Sequence, residues 1–312
     1  MCKIVHAVPG VDELWNGISV ASKLITEKQN ATIIDVKNIS SSIIKESEVV
    51  WVHSMWTPQV WRACWLALKG EKPLVRMLHG CVDPVRLNYN GWKKWLVGSI
   101  ERYLLRRCER IVATCEAEKG WIEAYIGKRC PKIEVMDVKR FFNLNHIDHV
   151  EHVDGRALHL LYLGRRHPLK GVEYLEAAVA ELNDGSRSRE SKLNSGIGNF
   201  SNVEVLSVHC STSTSNFDSK QIELKIVSNA FGEEKEKVWD WCDVLVLPTL
   251  SENFGLVVAE ALERGKRVIT TDGAPAWEDL TEAQGIYLKS FRDGSDETRV
   301  KLLKDALSQF AL

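Results

Sequence analysis

The sequence holds no apolar stretch near the roughly 20 residues that a membrane span requires, and its N-terminus, MCKIVHAVPG, is too short an apolar run for a secretory leader. None of its eight cysteines (Cys2, Cys64, Cys81, Cys108, Cys115, Cys130, Cys210 and Cys242) forms a C-x-x-C pair, and no Cys/His group has zinc spacing. Cysteines scattered in this way through a long chain read as reduced thiols, so the expected compartment is the cytoplasm. No G-x-G-x-x-G follows a strand-like run. That absence removes the dinucleotide fingerprint and, with it, the main reason to expect an NAD-dependent oxidoreductase.

Net charge is nearly absent as well, at −1, but the balance conceals an asymmetry. Residues 1–150 carry 22 Lys and Arg against 16 Asp and Glu, whereas residues 151–312 carry 19 against 26. A basic first half suits an anionic surface, and ordinary drift of surface composition accounts for it equally well. Hydrophobic residues make up 45% and charged residues 27%, the balance of a soluble globular protein. A chain of 312 residues exceeds one ordinary core and suits two domains.

Apolar runs and helical patterns alternate, which predicts an α/β fold. In the first half, strands are expected at Lys3–Val8, Thr32–Val36, Val49–His53, Pro73–Leu78, Arg110–Thr114 and Ile133–Met136. Their continuous apolar character is that of parallel strands buried on both faces. HIDHVEHVDGRA, residues 146–157, is polar and aperiodic and reads as a linker. The pattern restarts at Leu158–Leu163, with further strands near 203–208, 222–227, 244–247 and 267–270. Residues 183–200, rich in Gly, Ser and charge, read as a mobile loop. Ligands of such sheets bind beyond the C-terminal ends of the strands.

Two stretches place chemistry there. In LYLGRRHPLKG, a strand ends at Gly164, and Arg165 and Lys170 flank a loop that leads into a helix. Two cations beside a helix N-terminus suit a phosphate, and a plain basic loop is the alternative. In SENFGLVVAEALERGKRVIT, Glu252 stands before a helix and Glu260 about two turns inside it. A carboxylate on an inward helix face is costly without a partner, and the two hydroxyls of a ribose would be one. Compensation of the helix dipole by Glu252, with Glu260 at the surface, is the competing reading.

The E-x7-E spacing of Glu252 and Glu260, opening on ENFG, resembles the signature of retaining glycosyltransferases of family 4. The pattern of Gly164, Arg165, Lys170 and Gly171 is similar to that family's phosphate-binding segment, and HGCVDP and RRCERIVATCEAEKGWI are similar to its bacterial members that build lipopolysaccharide or capsule glycans. The resemblance implies a GT-B fold: α/β, two Rossmann-like domains whose parallel sheets face a central cleft. It assigns residues 1–155 to an acceptor domain and 156–312 to a donor domain. Arg165 and Lys170 would then hold the donor diphosphate. Glu260 would bind the ribose, and Glu252 the transferred sugar. Asn253, Phe254 and Gly255 would lie against sugar and phosphate, with His79 and Gly17 reaching the donor from the first domain. The implied donor is a nucleotide-diphosphate sugar, a UDP-sugar first, and the implied acceptor a cell-surface glycan or a lipid-linked precursor. No cofactor is implied. No Asp-x-Asp occurs, so no metal is expected and the metal-dependent alternative fold has no support.

Two departures from the family pattern keep a second expectation open. The N-terminal glycine pair is reduced to Gly17, near Gly10, and VEVLSVHCSTSTSNFDSKQ contains no glycine where a Gly-rich turn is usual. A nucleotide-sugar-binding or scaffold protein without turnover is therefore the alternative. Residues Gly91–Arg110 mix Trp92, Trp95, Leu96 and Tyr103 with six basic residues. They read either as a peripheral contact with the inner face of the membrane or as a core helix with a solvated basic edge. The histidines at 146, 149 and 152 are too weak a pattern for a metal site.

Overall fold

The computed structural model describes residues 3–13, 17–89, 91–144, 157–184, 203–209, 221–228 and 230–311. The chain divides into two compact units, Met1–Phe141 and Phe142–Leu312. The expected linker at 146–157, apart from Ala157, and the expected mobile loop beyond Asp184 lie outside the described residues.

The first unit is one six-stranded parallel sheet in the order β2-β1-β3-β4-β5-β6, formed by β1 (Ile4–Val8), β2 (Thr32–Asp35), β3 (Val49–His53), β4 (Leu74–Met77), β5 (Arg110–Ala113) and β6 (Lys132–Val135). Its helices are α1 (Gly17–Gln29), α2 (Ser41–Glu46), α3 (Pro58–Lys69), α4 (Pro84–Asn88), α5 (Gly91–Leu105) and α6 (Glu116–Ile126). β4 is buried along its whole length, as expected for a central strand covered on both faces. The short helices start where their sequences dictate. Thr57 caps α3, whose first residue is Pro58, and Asp83 caps α4, whose first residue is Pro84. The chain leaves β1 toward β2 on one side and later returns to β3 on the other, so the order reverses between β1 and β3.

Arg76 of β4 and Glu101 of α5 are fully buried and 3.7 Å apart. Arg76 Nη2 donates to the Ser54 carbonyl, and Glu101 Oε1 accepts from the Trp56 amide and the Trp61 indole at 2.6 and 2.8 Å. These bonds fasten the inner face of α5 and leave its outer face in solvent.

The second unit has the order β12-β11-β10-β7-β9-β8, from β7 (Leu158–Leu163), β8 (Val203–His209), β9 (Gln221–Val227), β10 (Val244–Leu247), β11 (Arg267–Thr271) and β12 (Gly285–Leu288). Five strands are parallel, whereas β8 pairs antiparallel with β9 at the edge. An edge is where one reversed strand is commonly accommodated in an otherwise parallel sheet. The helices are α7 (Val172–Asp184), α8 (Gly232–Trp241), α9 (Leu256–Glu263) and α10 (Asp296–Ala311). Here the order reverses between β7 and β10. Crevices at such reversals, beyond the strand C-termini, are the usual ligand sites of open α/β sheets.

Candidate functional site

β7 and β10 are neighbours, and both motifs begin where these strands end. After β7 the chain passes Gly164 and Arg165 and tightens into a 3-10 turn, Pro168–Lys170. Gly171 then takes a left-handed conformation, φ 62°. A Cβ on Gly171 would lie 2.0 Å from the Pro248 carbonyl oxygen, so no other residue fits without moving the backbone. The two loops are joined further by the Leu169 carbonyl, which accepts from the Leu250 amide at 2.9 Å and from Thr249 Oγ1 at 3.0 Å.

This splice brings Lys170 and Glu252, 82 residues apart in sequence, into a direct ion pair between Lys170 Nζ and Glu252 Oε2. Both side chains are largely shielded from solvent. The Glu252 amide donates to the Gly273 carbonyl at 2.7 Å, and Glu252 Oε1 accepts from the Asn253 amide at 3.1 Å. Arg165 is exposed beside them, and its carbonyl accepts from the Tyr162 hydroxyl at 2.9 Å. Burial, reinforced by the nearby Glu252 carboxylate, pushes the Tyr162 phenol far up, so it stays a hydrogen-bond donor.

The ENFG stretch is the cap of α9. Gly255, φ 71°, is the N-cap, and Leu256 is the first helical residue. Gly255 offers no side chain to the helix start, so the free amides there remain open to an acceptor from outside. Phe254 is buried, and its carbonyl accepts from the Trp277 indole. The two rings lie 5.2 Å apart, which pins the loop from below.

Glu260 sits in α9 as expected, but its carboxylate already has a partner. Lys235 Nζ of α8 is 2.6 Å from Glu260 Oε2, with both side chains about three-quarters buried. Sequence reasoning missed Lys235, since nothing in GEEKEKVWDW announces a contact with a glutamate 25 residues on. It missed Gly273 as well, where a Cβ would stand 2.0 Å from the Thr249 carbonyl oxygen. A glycine following the strand-like ITTD was the available signal.

The remaining two site residues belong to the first unit. Gly17 opens α1, and a Cβ there would meet nothing within 4 Å. His79 lies just beyond β4, buried, with a left-handed φ of 54°. The structure thus brings together Arg165, Lys170, Glu252, Asn253, Phe254 and Gly255 at the strand ends, with Glu260 one and a half turns along α9. It places His79 and Gly17 in the other unit.

This arrangement suits an anionic ligand that carries hydroxyl groups. A lysine and an arginine face the same loop as open helix amides, and two carboxylates stand at either end of the same stretch. Among the described residues no group of three or more His, Cys, Asp and Glu could hold a metal.

Two family profiles match the chain. A glycosyl transferase 4-like domain covers residues 45–137, and glycosyl transferases group 1 covers residues 157–297. No curated protein sequence matches. Among solved structures, a sucrose-phosphate synthase from Thermosynechococcus elongatus aligns with a TM-score of 0.61 at 11% identity, over 99% of this chain and 90% of its own. Anabaena HepE in complex with UDP-glucose aligns with a TM-score of 0.61 at 14% identity, over 99% and 91%. The trehalose-6-phosphate synthase OtsA gives 0.56 at 10%, over 100% and 96%. The fold common to these alignments is GT-B.

Proposed function

Because the chain belongs to the glycosyltransferase superfamily, we propose that its second unit binds a nucleotide-diphosphate sugar and transfers the sugar with retention of configuration, as family 4 enzymes do. The observation that carries this reading is the Lys170–Glu252 pair, built by backbone contacts between the ends of β7 and β10. Breaking the bond between sugar and diphosphate develops negative charge on phosphate and positive charge at the anomeric carbon. Lys170 and Arg165 hold the phosphate and stabilise the departing nucleotide, a role for fixed cations in place of a metal. Glu252 then turns its carboxylate to the sugar hydroxyls. Glu260, held by Lys235, accepts from the ribose. The amides at Phe254, Gly255 and Leu256 complete the phosphate cradle. No protein general base is assigned, since the leaving phosphate can take the acceptor proton. A UDP-sugar is the proposed donor.

The proposed acceptor is a glycan of the cell surface or its lipid-linked precursor, met at the inner face of the membrane. The outer face of α5 supports this. Trp92 and Trp95 are 65% and 79% exposed there, with Leu96, Ile100 and Tyr103 along the same side. Lys93, Arg106 and Arg107 flank them, the Arg107 guanidinium 3.7 Å above the Tyr103 ring. Aromatic residues bordered by cations suit an anionic lipid surface. Among the described residues no helix is long and apolar enough to cross a membrane.

The test is a thermal-shift series with UDP, GDP, ADP, CMP and their common sugar conjugates, because a ligand that binds only the folded state raises Tm. A rise with UDP and its sugars is the expected result. No rise with any nucleotide in folded protein would overturn the donor site and favour a scaffold without turnover.

A further inference from the structure

Glu260 is held from a helix that contains neither donor motif. Lys235 is the fourth residue of α8, in its first turn. A cation there opposes the helix dipole, so the position does not serve the stability of α8 itself. Its ammonium faces α9 instead, with Nζ 2.6 Å from Glu260 Oε2. One residue along, Glu236 pairs with Arg264 at 2.8 Å, and Arg264 Nη1 donates to the Glu260 carbonyl at 3.1 Å. The Arg264 guanidinium lies 5.4 Å from the centre of the buried Trp239 ring. Two ion pairs of opposite polarity thus fix the register of α8 against α9. Both the main chain and the side chain of Glu260 are anchored.

α8 starts at the same rim of the sheet as the two donor motifs, and all of these residues belong to the second unit. Ser228, the residue after β9, donates through Oγ to the Gly164 carbonyl at 3.1 Å. The Gly164 amide donates to the Val227 carbonyl at 3.0 Å. The end of β9 is thereby fastened to the end of β7, and α8 begins shortly beyond, at Gly232. The Lys235 and Glu260 side chains remain 26% and 20% exposed. The pair is therefore open to a ligand while most of its length is packed.

The hydrogen-bonding capacity left over defines what fits. A lysine ammonium has three donors. Among the described residues Glu260 is the one charged partner of Lys235, and no side chain or amide bonds Glu260 Oε1. A vicinal diol needs both kinds of partner, because each hydroxyl donates once and also accepts through its oxygen. A carboxylate alone serves the two donors and leaves the oxygens bare, whereas a carboxylate beside an ammonium serves both. We propose that Lys235 is a specificity-determining residue of the nucleotide site. It donates to one ribose hydroxyl oxygen while Glu260 accepts from the diol, so the pair selects a nucleotide whose ribose carries both hydroxyls. The inference rests on the proposed nucleotide-sugar function. A ligand lacking the hydroxyl that meets Lys235 leaves a largely shielded donor without its partner. Such a loss discriminates far more strongly than a missing apolar contact.

Isothermal titration of the full chain with UDP, 2′-deoxy-UDP and 3′-deoxy-UDP tests this first without any variant. Wild-type protein is expected to bind UDP roughly tenfold to a hundredfold more tightly than the analogue that lacks the hydroxyl met by Lys235. Wild-type protein that binds all three alike would overturn the proposal. The second arm repeats the titrations with Lys235→Met, which keeps the length of the side chain and removes its charge. UDP affinity is expected to fall by about tenfold or more, with that analogue's affinity nearly unchanged, so the preference collapses. Lys235→Arg, which keeps a donor, should recover part of it. Comparing ligands on one protein cancels any change in folding. A Lys235→Met protein that binds all three ligands more weakly by one factor has lost only the fastening of α8 to α9, and that result sinks the proposal. Retention of the wild-type preference does the same. Wild-type protein that binds none of the three, or Glu260→Gln with undiminished UDP affinity, would instead remove the reading on which the inference rests.

Discussion

Lys170 and Glu252 neutralise each other at the strand ends, and on the proposed reading a diphosphate entering the site competes for the lysine. Lys170 and Glu260 are therefore expected to answer differently to substitution. On the proposed reading, Lys170→Ala removes charge stabilisation that matters most as the phosphate departs, together with the ion pair to Glu252. Its kcat for UDP-glucose is expected to fall by at least about a hundredfold. On the proposed reading, Glu260→Gln removes a charged hydrogen bond to the ribose, made in ground and transition states alike. Its KM is expected to rise roughly tenfold with kcat nearly unchanged. Equal effects on kcat in steady-state assays would contradict this division. Gly171 carries a different kind of constraint. Gly171→Ala places a methyl group against the Pro248 carbonyl at a left-handed φ. A loss of about 2 kcal/mol or more is expected, read as a Tm drop of several degrees in a thermal melt. Gly17→Ala, with open space at its Cβ, is the control and should leave Tm unchanged.

α5 shows how one element divides its faces. Inside, Glu101 binds the Trp56 amide and the Trp61 indole beside buried Arg76. Outside, two tryptophans stand in solvent with cations around them. The inner face is the core helix that the sequence offered as one alternative, and the membrane contact is a proposal for the outer face. Co-sedimentation with vesicles of phosphatidylglycerol is expected to capture the protein, and vesicles of phosphatidylcholine alone should capture much less. Trp92→Ala with Trp95→Ala should release it at unchanged Tm, because neither ring packs in the core. Binding that survives this double substitution would place the contact elsewhere. α9 is the opposite case: Val258, Ala259, Ala261 and Leu262 are buried, Glu260 is paired with Lys235, and Glu263 stands in solvent.

The histidine row couples the first unit to pH. His6 of β1, His53 of β3 and His79 beyond β4 are buried and joined by contacts of 2.9 and 2.8 Å between ring nitrogens, and burial holds their folded-state pKa values below the unfolded value of 6.5, at about 4 for His6 and about 3 for His79. Above pH 6.5 both states are neutral there and the stability is fully present. As pH falls below 6.5, the unfolded rings take up protons that the folded rings refuse, so stability is lost. Each ring contributes about 1.4 kcal/mol per pH unit, with the loss continuing toward pH 4 for His6 and pH 3 for His79. The charged groups acting on the row are Arg76 near His53 and Arg86 near His79, and both favour the neutral rings. Glu118, whose carboxyl burial pushes up, works in the opposite sense, as one group against three. Urea unfolding at pH 7 and pH 5 is expected to show a large loss at pH 5, and His6→Phe should reduce that loss by about a third. A pH-independent midpoint would mean that the rings are charged in the folded protein.

Local order was legible in the sequence because it depends on neighbours. Apolar runs marked β3, β7 and β10 to the residue, since a strand buried on both faces leaves no room for polar punctuation. Thr57-Pro58 and Asp83-Pro84 start α3 and α4 for the same local reason, a signal the sequence reading did not use, and the spacing of Gly164, Arg165, Lys170 and Gly171 with Glu252 and Glu260 marked the strand ends where the proposed site lies. What the sequence could not supply were pairings between distant segments. Lys170 with Glu252, Lys235 with Glu260, Gly273 against Thr249, and the row of His6, His53 and His79 join residues 24 to 82 positions apart, and no local period encodes them. The reversed direction of the edge strand β8 and the helix α10 also escaped the sequence reading. Strand direction and helix docking depend on the surface that an element meets, and that surface exists only after the chain has folded.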